Sequence, residues 1–320
     1  MSTQNTEGRL EELVKGLLER GEVRAFLGYQ KGRTPLRVRP HYVMSPQQAD
    51  NLVWNEFCAP SLAKYLLEEQ NGEGRVGVLL KACDARAWRR LVQDRRVDAG
   101  KVLAVGVGCP GVVDARKVES LGLGTLVEAG SRDGVLVVQT GSGETKELPR
   151  EEYLLERCQY CEDPYPEGTE LFLGEKLPAR AVRPRDYADV AQVESMSVEE
   201  RAAHWDRQFS RCLRCFACRN VCPACSCREC CFDVWEPKWL SREVSRSEQY
   251  MFHFTRAFHV AGRCIDCWEC ERVCPVGIPL MSLNHALQKE IRDLFGVERP
   301  WEPAEAEPLA MYAPDDPDFH

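Results

Sequence analysis

The feature that most constrains this chain is a four-cysteine motif that occurs twice in its last third. The motifs read Cys212-x2-Cys215-x2-Cys218-x3-Cys222-Pro and Cys264-x2-Cys267-x2-Cys270-x3-Cys274-Pro. Three cysteines at this spacing curl around one face of a 4Fe-4S cubane, and the fourth projects away toward a second cluster. The motifs therefore predict two 4Fe-4S clusters with crossed ligands. Set A is Cys212, Cys215, Cys218 and Cys274, and set B is Cys264, Cys267, Cys270 and Cys222.

Zinc is the alternative occupant of such cysteines. Structural zinc sites use pairs of cysteines, whereas each motif here has a triplet followed by Cys-Pro, which favours iron–sulfur clusters. Phe216 and Trp268 follow the second cysteine of each motif, a position where many iron–sulfur proteins have glycine. These aromatic rings either keep water away from the clusters, which would influence their potentials, or simply belong to the core.

Cysteines outside the two sets suggest a third centre. One close group follows the first motif, and a Cys-x2-Cys pair lies far upstream. Because neither group is sufficient alone, we expect them to meet and hold a third 4Fe-4S cluster through Cys158, Cys161, Cys225, Cys227 and Cys230. Cys231 is a weaker ligand candidate, since adjacent cysteines rarely bind the same metal. A structural zinc ion and redox-active or incidental thiols are the alternatives.

Upstream of the cysteine-rich segment, the pattern is that of an α/β domain. Residues 76–80 and 102–107 are apolar, and the stretch between them has helical periodicity. This is a βαβ pattern, which predicts a parallel pair of strands. Two more strands are expected within 124–140 on either side of Asp133-Gly134, because Asp-Gly favours a tight turn. A helix is expected to begin near Pro149.

Single cysteines follow both predicted parallel strands. Cys83 and Cys109 thus lie where open α/β sheets bind ligands. Their neighbours would suit an anion or a flavin phosphate at the N-terminus of a helix. The candidates for this cofactor site are Lys81, Asp84, Arg86 and Gly108. The alternative is that the cysteines are small buried hydrophobic residues.

Composition limits the classes of partner. The net charge of -8 and the pI of about 5.5 argue against nucleic acid as a partner. A binding protein with a structural cluster would rest on Arg86, Arg89, Arg90, Arg95 and Arg96, which look like one solvated helix face. No apolar run is long enough to span a bilayer, and residues 1–20 read as an amphipathic helix rather than a signal peptide. The 17 cysteines are therefore expected to be reduced, in the cytoplasm.

These patterns divide the chain into four parts. We expect an α/β domain with a short, partly parallel sheet over 1–160 and a linker or covering loop over 161–196. A mainly α-helical domain with two 4Fe-4S clusters is expected over 197–296, followed by an acidic, proline-rich tail over 297–320. Ser197 and Glu200 predict a capping box that starts the helix leading into Cys212. Further helices are expected at 245–262 and 279–294.

Together, these motifs resemble the beta-subunit family of coenzyme F-420-reducing hydrogenases and formate dehydrogenases, in particular its relatives in heterodisulfide reductase-like complexes. The long segment 223–263 between the motifs also resembles the alpha-helical ferredoxin domain of fumarate reductase iron–sulfur subunits. The matching pieces are Gly28-Tyr29, Trp54-Asn55-x2-Cys58, Lys81-x-Cys83-Asp84-x-Arg86, Gly106-x-Gly108-Cys109-x-Gly111, Cys158-x2-Cys161, Cys222-Pro-x-Cys225-x-Cys227-x2-Cys230 and Ala261-Gly-Arg-Cys264.

The resemblance implies an electron-transfer subunit of a larger hydrogenase, formate dehydrogenase or heterodisulfide reductase-like complex. No hydrolytic Ser/His/Asp or Cys/His set is present, which favours a non-catalytic subunit that passes single electrons. The alternative is a subunit in which a flavin exchanges hydride with a deazaflavin or nicotinamide carrier. Family members with flavin make FAD a candidate cofactor, but the chain has no G-x-G-x-x-G fingerprint for it.

Overall fold

The computed structural model describes residues 3–177, 182–184, 186–241, 243–302 and 308–309. The chain forms two compact units. Unit 1 comprises residues 1–88 and 95–184, and unit 2 comprises residues 89–94 and 185–320. The four-part division expected from the sequence stays a prediction. Most of the predicted tail, at 303–307 and 310–320, lies outside the described residues.

Unit 1 contains a five-stranded sheet in which the fully apolar strands are central. Its strand order is β2-β1-β3-β4-β8. β1 pairs with β2 antiparallel, while β1, β3, β4 and β8 run parallel to one another. Every residue of β3 and β4 is buried, as expected for the middle of a parallel sheet. The strands are β1 (Ala25–Lys31), β2 (Val38–Val43), β3 (Val76–Leu80), β4 (Val102–Val107) and β8 (Leu171–Leu173).

A second, antiparallel sheet of three strands belongs to the same unit. Asp133 and Gly134 form the predicted tight turn, with φ of 50° and 80°. The helix predicted near Pro149 is wrong in part, because Pro149 ends a strand and only a short 3-10 helix, Arg150–Tyr153, follows. The strands are β5 (Leu126–Arg132), β6 (Val135–Thr140) and β7 (Thr145–Pro149).

Short helices connect these strands. The parallel pair β3 and β4 is joined by α2, so the predicted βαβ unit is confirmed. The helices are α1 (Thr3–Glu19), α2 (Ala82–Gln93), α3 (Ala115–Glu119) and α4 (Glu156–Gln159), and the remaining 3-10 helices are Pro46–Asn51, Ala63–Asn71 and Ala99–Lys101. The segment predicted as a linker contains β8 and one helix of unit 2. Arg90 is buried beside Asp94, so the five arginines do not form one solvated face.

Unit 2 is helical in its described residues. The capping box is present: Ser197 accepts from the N–H of Glu200, and the Glu200 carboxylate accepts from the N–H of Ser197. The helices expected at 245–262 and 279–294 are observed at Arg246–His259 and Leu280–Phe295. The helices are α5 (Ala188–Glu194), α6 (Val198–Phe209), α7 (Ala217–Asn220), α8 (Arg246–His259), α9 (Glu269–Arg272) and α10 (Leu280–Phe295).

The two cysteine motifs share a backbone conformation. Arg214 and Phe216 in the first motif have φ of 47° and 59°, and Asp266 and Trp268 in the second have φ of 54° and 55°. Non-glycine residues rarely occupy this left-handed region, and they persist there only where the surroundings hold them. The conformation explains why other proteins use glycine after the second cysteine. A four-residue helix, α7 or α9, then carries the third cysteine of each motif.

Candidate metal centres

The four thiols of set A line one cavity in unit 2. Cys274 joins Cys212, Cys215 and Cys218 there, although it belongs to the other motif. The cavity contains about 330 Å³ free of protein atoms, including space open to solvent. Phe216, Phe252 and Ile278 contribute apolar walls. The structure thus brings together all four residues that the crossed-ligand pattern predicts.

Backbone N–H groups point at the sulfurs of set A. The N–H of Arg214 donates to Cys212 Sγ at 3.3 Å, and the N–H of Ile278 donates to Cys274 Sγ at 3.3 Å. Hydrogen bonds of this kind stabilise thiolate and cluster sulfur. Burial raises the pKa of the Cys218 thiol to about 11. A bound cluster would therefore displace protons as it binds.

Set B is more deeply buried. Burial raises the pKa of Cys267, and Cys222 is the neighbour that raises it most, followed by Glu269 and Cys270. Burial also raises the pKa of Cys264, and Asp266 and then Cys222 add to that rise. Cys222 therefore lies beside the triplet of the second motif, as the crossed pattern predicts. Cys270 Sγ also accepts from Asn284 Nδ2 at 3.7 Å.

Each motif is anchored to the long helix that follows it. Gln249 on α8 donates to the carbonyl of Cys212 at 2.6 Å, and Gln288 on α10 donates to the carbonyl of Cys264 at 2.9 Å. The repeat therefore extends beyond the cysteines to a helix. Sequence reasoning missed both glutamines, although each is a polar residue on the apolar side of an amphipathic helix.

The residue two after the first cysteine is charged in both motifs, with opposite sign. Arg214 Nη1 donates to Glu248 at 2.6 Å and to the carbonyl of Ser241 at 3.1 Å. Asp266 instead faces His285 Nε2 at 3.0 Å. The other ring nitrogen of His285 lies 2.7 Å from Asp189. Burial lowers the pKa of His285, but the two carboxylates outweigh it and raise that pKa to about 9.

A buried cation lies close to both sets. Arg256 on α8 is 3% exposed, and its Nη2 donates to the carbonyl of Cys218 at 3.3 Å. Burial alone would lower the pKa of Arg256, but the thiols around it, led by Cys270 and Cys222, raise it well above the usual value. The guanidinium thus stays charged, and its positive charge would balance anionic clusters.

Unit 1 also has a thiol-lined cavity. The sequence did not predict a complete set of four ligands there. Cys83 follows β3 and Cys109 follows β4, so the parallel pairing of those strands brings the two cysteines together. Cys158 and Cys161, at the end of α4, line the same cavity. The space free of protein atoms is about 410 Å³, including its opening to solvent. These four cysteines are called the unit 1 set.

The unit 1 set has donors and positive charge suited to an anionic cluster. The N–H of Val112 donates to Cys158 Sγ at 3.3 Å. Lys81, Arg86 and Arg157 also line the cavity. Burial and, second, Asp84 raise the pKa of Cys83 to about 11, even though the three cations oppose that rise.

The third centre predicted from Cys158, Cys161, Cys225, Cys227 and Cys230 stays a prediction. Cys158 and Cys161 line the cavity of unit 1 together with Cys83 and Cys109. Cys225, Cys227 and Cys230 belong to unit 2, where Cys225 packs against the hydrophobic core and Cys227 is exposed.

The predicted anion site does not use all of its candidates. Lys81 Nζ donates to Asp84 at 2.7 Å, to Tyr29 Oη at 2.7 Å and to the carbonyl of Pro60 at 3.0 Å. An ammonium has three donors, so those of Lys81 are fully used inside the protein. Arg86 lines the cavity and keeps its predicted place. Gly108 lies against Glu175 and Leu177, where a Cβ would come within 3.1 Å of both.

Among the residues that the structure describes, no three His, Cys, Asp or Glu side chains are arranged to hold one metal ion. A zinc ion would need its sulfurs about 2.3 Å from a single point. The thiols of set A and of the unit 1 set each line a cavity.

None of the helices in the described ranges has the length and apolar character that a membrane crossing requires.

Comparisons with known proteins agree with the motif-based resemblance. The chain is 23% identical to the F420-dependent formate dehydrogenase subunit beta of Methanocaldococcus jannaschii, covering 90% of each protein. It is 25% identical to the F420-dependent formate dehydrogenase 1 subunit beta of Methanococcus maripaludis, covering 94% of this chain and 92% of that protein. These similarities confirm the resemblance predicted from the motifs.

Two further comparisons complete the findings. No family model matches the chain. A chain of the F420-reducing [NiFe] hydrogenase complex from Methanosarcina barkeri, solved as a xenon derivative, aligns with 50% of this chain and 59% of its own length. That alignment has 20% sequence identity and a TM-score of 0.38.

Proposed function

We propose that this chain is an iron–sulfur electron-transfer subunit of a cytoplasmic, anaerobic oxidoreductase complex. Set A and set B would each hold one 4Fe-4S cluster, and the unit 1 set would hold a third. When bound, such clusters accept and release single electrons. The chain itself would supply thiolates, N–H donors and balancing charge.

The observation that carries this proposal is that Cys274 lines the cavity of set A. Cys274 belongs to the second motif, yet it lines one cavity with three cysteines of the first. Crossed ligation is the arrangement of two-cluster electron carriers, where it keeps the clusters close. Cysteines that served only as core residues would not need to line one cavity together. They would also not need backbone N–H groups directed at two of their sulfurs.

The third cluster is supported by the composition of the unit 1 cavity. Four thiols there share one space with three cations and a backbone N–H donor. A 4Fe-4S cluster with four thiolates is anionic, so cations beside it reduce the cost of burial. Of the three cations, Lys81 has no donor left for a flavin phosphate, because it already uses all three inside the protein.

The partners would be subunits of a formate dehydrogenase, a hydrogenase or a heterodisulfide reductase-like complex. The curated relatives are named as beta subunits of F420-dependent formate dehydrogenases, and the chain covers about 90% of their length. A subunit of this kind would pass electrons to or from a catalytic subunit.

Anaerobic purification followed by iron, sulfide and flavin determination tests the proposal. Three clusters predict about twelve irons per chain, whereas two predict about eight. We expect Cys83→Ser and Cys109→Ser to remove about four irons. Cys227→Ser should leave the iron content unchanged, because Cys227 lies outside all three sets.

Cys58→Ser is the matched control for the unit 1 set. Cys58 is a buried thiol of the same unit, but its sulfur accepts from the N–H of Asn55 at 3.5 Å and does not line the cavity. An unchanged iron content in Cys83→Ser would contradict the third cluster. One flavin per chain would contradict the purely conducting subunit and would support the alternative in which flavin exchanges hydride with a carrier.

A further inference from the structure

His253 occupies a special position beside set A. It lies on α8 between Gln249 and Arg256, one turn away from each. Gln249 donates to the carbonyl of Cys212, and Arg256 donates to the carbonyl of Cys218. Since residues four before and three after His253 both reach the set A loop, the side chain of His253 faces that loop too. Consistently, it lines the same cavity as the four thiols of set A.

The imidazole packs against an aromatic ring, and the described part of the chain offers it no hydrogen-bond partner. Its ring stacks on Phe209, with centroids 4.5 Å apart and planes at 8°. The residue is 2% exposed. Neither ring nitrogen makes a hydrogen bond to any of the described residues. An unsatisfied polar atom in such a place is costly, so a buried histidine like this one calls for a ligand-side acceptor.

The imidazole also remains uncharged. Burial and, to a smaller extent, the nearby Arg256 lower the pKa of His253 to about 4. A neutral imidazole has one N–H donor and one acceptor. Its donor would suit a sulfur atom, and cluster sulfurs are the acceptors that set A would bring into the cavity.

We propose that His253 donates a hydrogen bond to a sulfur of the cluster held by set A and thereby raises the reduction potential of that cluster. This inference rests on the proposed function, because it needs a cluster in set A. The physical reason is that a donor stabilises the more negative, reduced form more than the oxidised form. His253 is thus a tuning residue, not a catalytic one.

The test is an EPR-monitored redox titration of the full, anaerobically purified chain. His253→Phe keeps the stacking on Phe209 and removes the donor. We expect it to make reduction of the set A cluster about tenfold less favourable, which lowers its potential by about 59 mV for one electron. His253→Gln provides an amide donor and should recover part of that shift.

His259→Phe is the matched control. His259 lies on the same helix but is exposed and does not line the cavity. The same exchange there should leave both potentials unchanged. A change as large as that of His253→Phe would contradict the inference, because it would show a general effect of removing a histidine from α8.

A second readout covers the case in which His253→Phe assembles poorly. Wild-type protein labelled with ¹⁵N-histidine should show nitrogen hyperfine coupling in the reduced cluster signal, and His253→Gln should lose it. Full iron content with an unchanged potential in His253→Phe, or no coupling in the wild type, would overturn the inference. Failure of the proposed function looks different: the wild type itself would then lack four-iron clusters.

Discussion

Set A and set B are built on the same backbone but lie in different surroundings. Both motifs have left-handed residues at equivalent positions, a four-residue helix and a glutamine that binds the first carbonyl. In set A, Cys215 is exposed, and Leu213 beside Cys212 is 62% exposed. In set B, Cys264 and Cys270 are buried, and Cys270 Sγ lies 3.7 Å from Met281 Sδ.

The charges around the two sets differ as well. The first left-handed residue of each motif is a cation in set A, Arg214, and an anion in set B, Asp266. Set B also has the buried carboxylate of Glu269, paired with Arg272 at 2.7 Å. The same cysteine spacing therefore supports two environments. The difference teaches that spacing predicts which residues are ligands, whereas burial and neighbouring charge would decide how each cluster behaves.

The largest effect should come from removing one ligand of each set. Cys270→Ser and Cys215→Ser should each remove about four irons, but the buried set B change should cost about 4 kcal/mol more stability. The reason is that Cys270 is part of the hydrophobic core, whereas Cys215 faces solvent. Iron content and the Tm under anaerobic conditions provide the measurements. Equal Tm values would contradict the difference in burial.

The next effect is a pH dependence that only set B should show. The pKa of His285 is raised from 6.5 to about 9 in the folded protein. Protonated His285 therefore stabilises the folded state by an amount on the order of 3 kcal/mol. This stabilisation is fully present below about pH 6.5 and is lost as the pH rises through about 9. The Tm difference between wild type and His285→Gln should shrink over that range. A constant difference from pH 6 to 10 would refute it.

A smaller effect concerns the order of the reduction potentials. Reduction adds a negative charge, which costs more in the buried, acid-flanked surroundings of set B than in the exposed set A. The set A cluster should therefore have the higher potential, by at least about 59 mV, a tenfold preference for one electron. Redox titration of Cys215→Ser, which would keep only set B in unit 2, isolates the lower value. The reverse order would contradict the comparison.

The smallest effect concerns the left-handed backbone conformation that the two motifs share. At Phe216 and Trp268, the glycine variant should be more stable than the alanine variant by about 1 kcal/mol, because left-handed φ is costly for residues with a Cβ. Comparing Gly with Ala cancels the loss of the aromatic ring. The Tm differences should be equal in the two motifs. A preference for alanine at one position would show that its backbone is not left-handed.

Several elements could be predicted because their signals are local. The apolar runs at 76–80 and 102–107 coincide with β3 and β4, and Ser197 with Glu200 forms the predicted capping box. Two of the strands that were missed have weak patterns. β2 has Arg39, Pro40 and His41 in its middle and is only half buried, and β8 is three residues long. Their strand character depends on the pairing partner rather than on their own residues.

The sequence by itself determined the two motifs, and their residue spacing predicts the crossed ligand sets. It also placed Cys83 and Cys109 at the ends of strands. Only the tertiary structure decided that Cys158 and Cys161 line one cavity with these two cysteines. The same holds for His253, whose position depends on how α8 packs. The physical reason is that local spacing restricts nearby residues, whereas long-range contacts follow from the pairing of strands and the packing of helices.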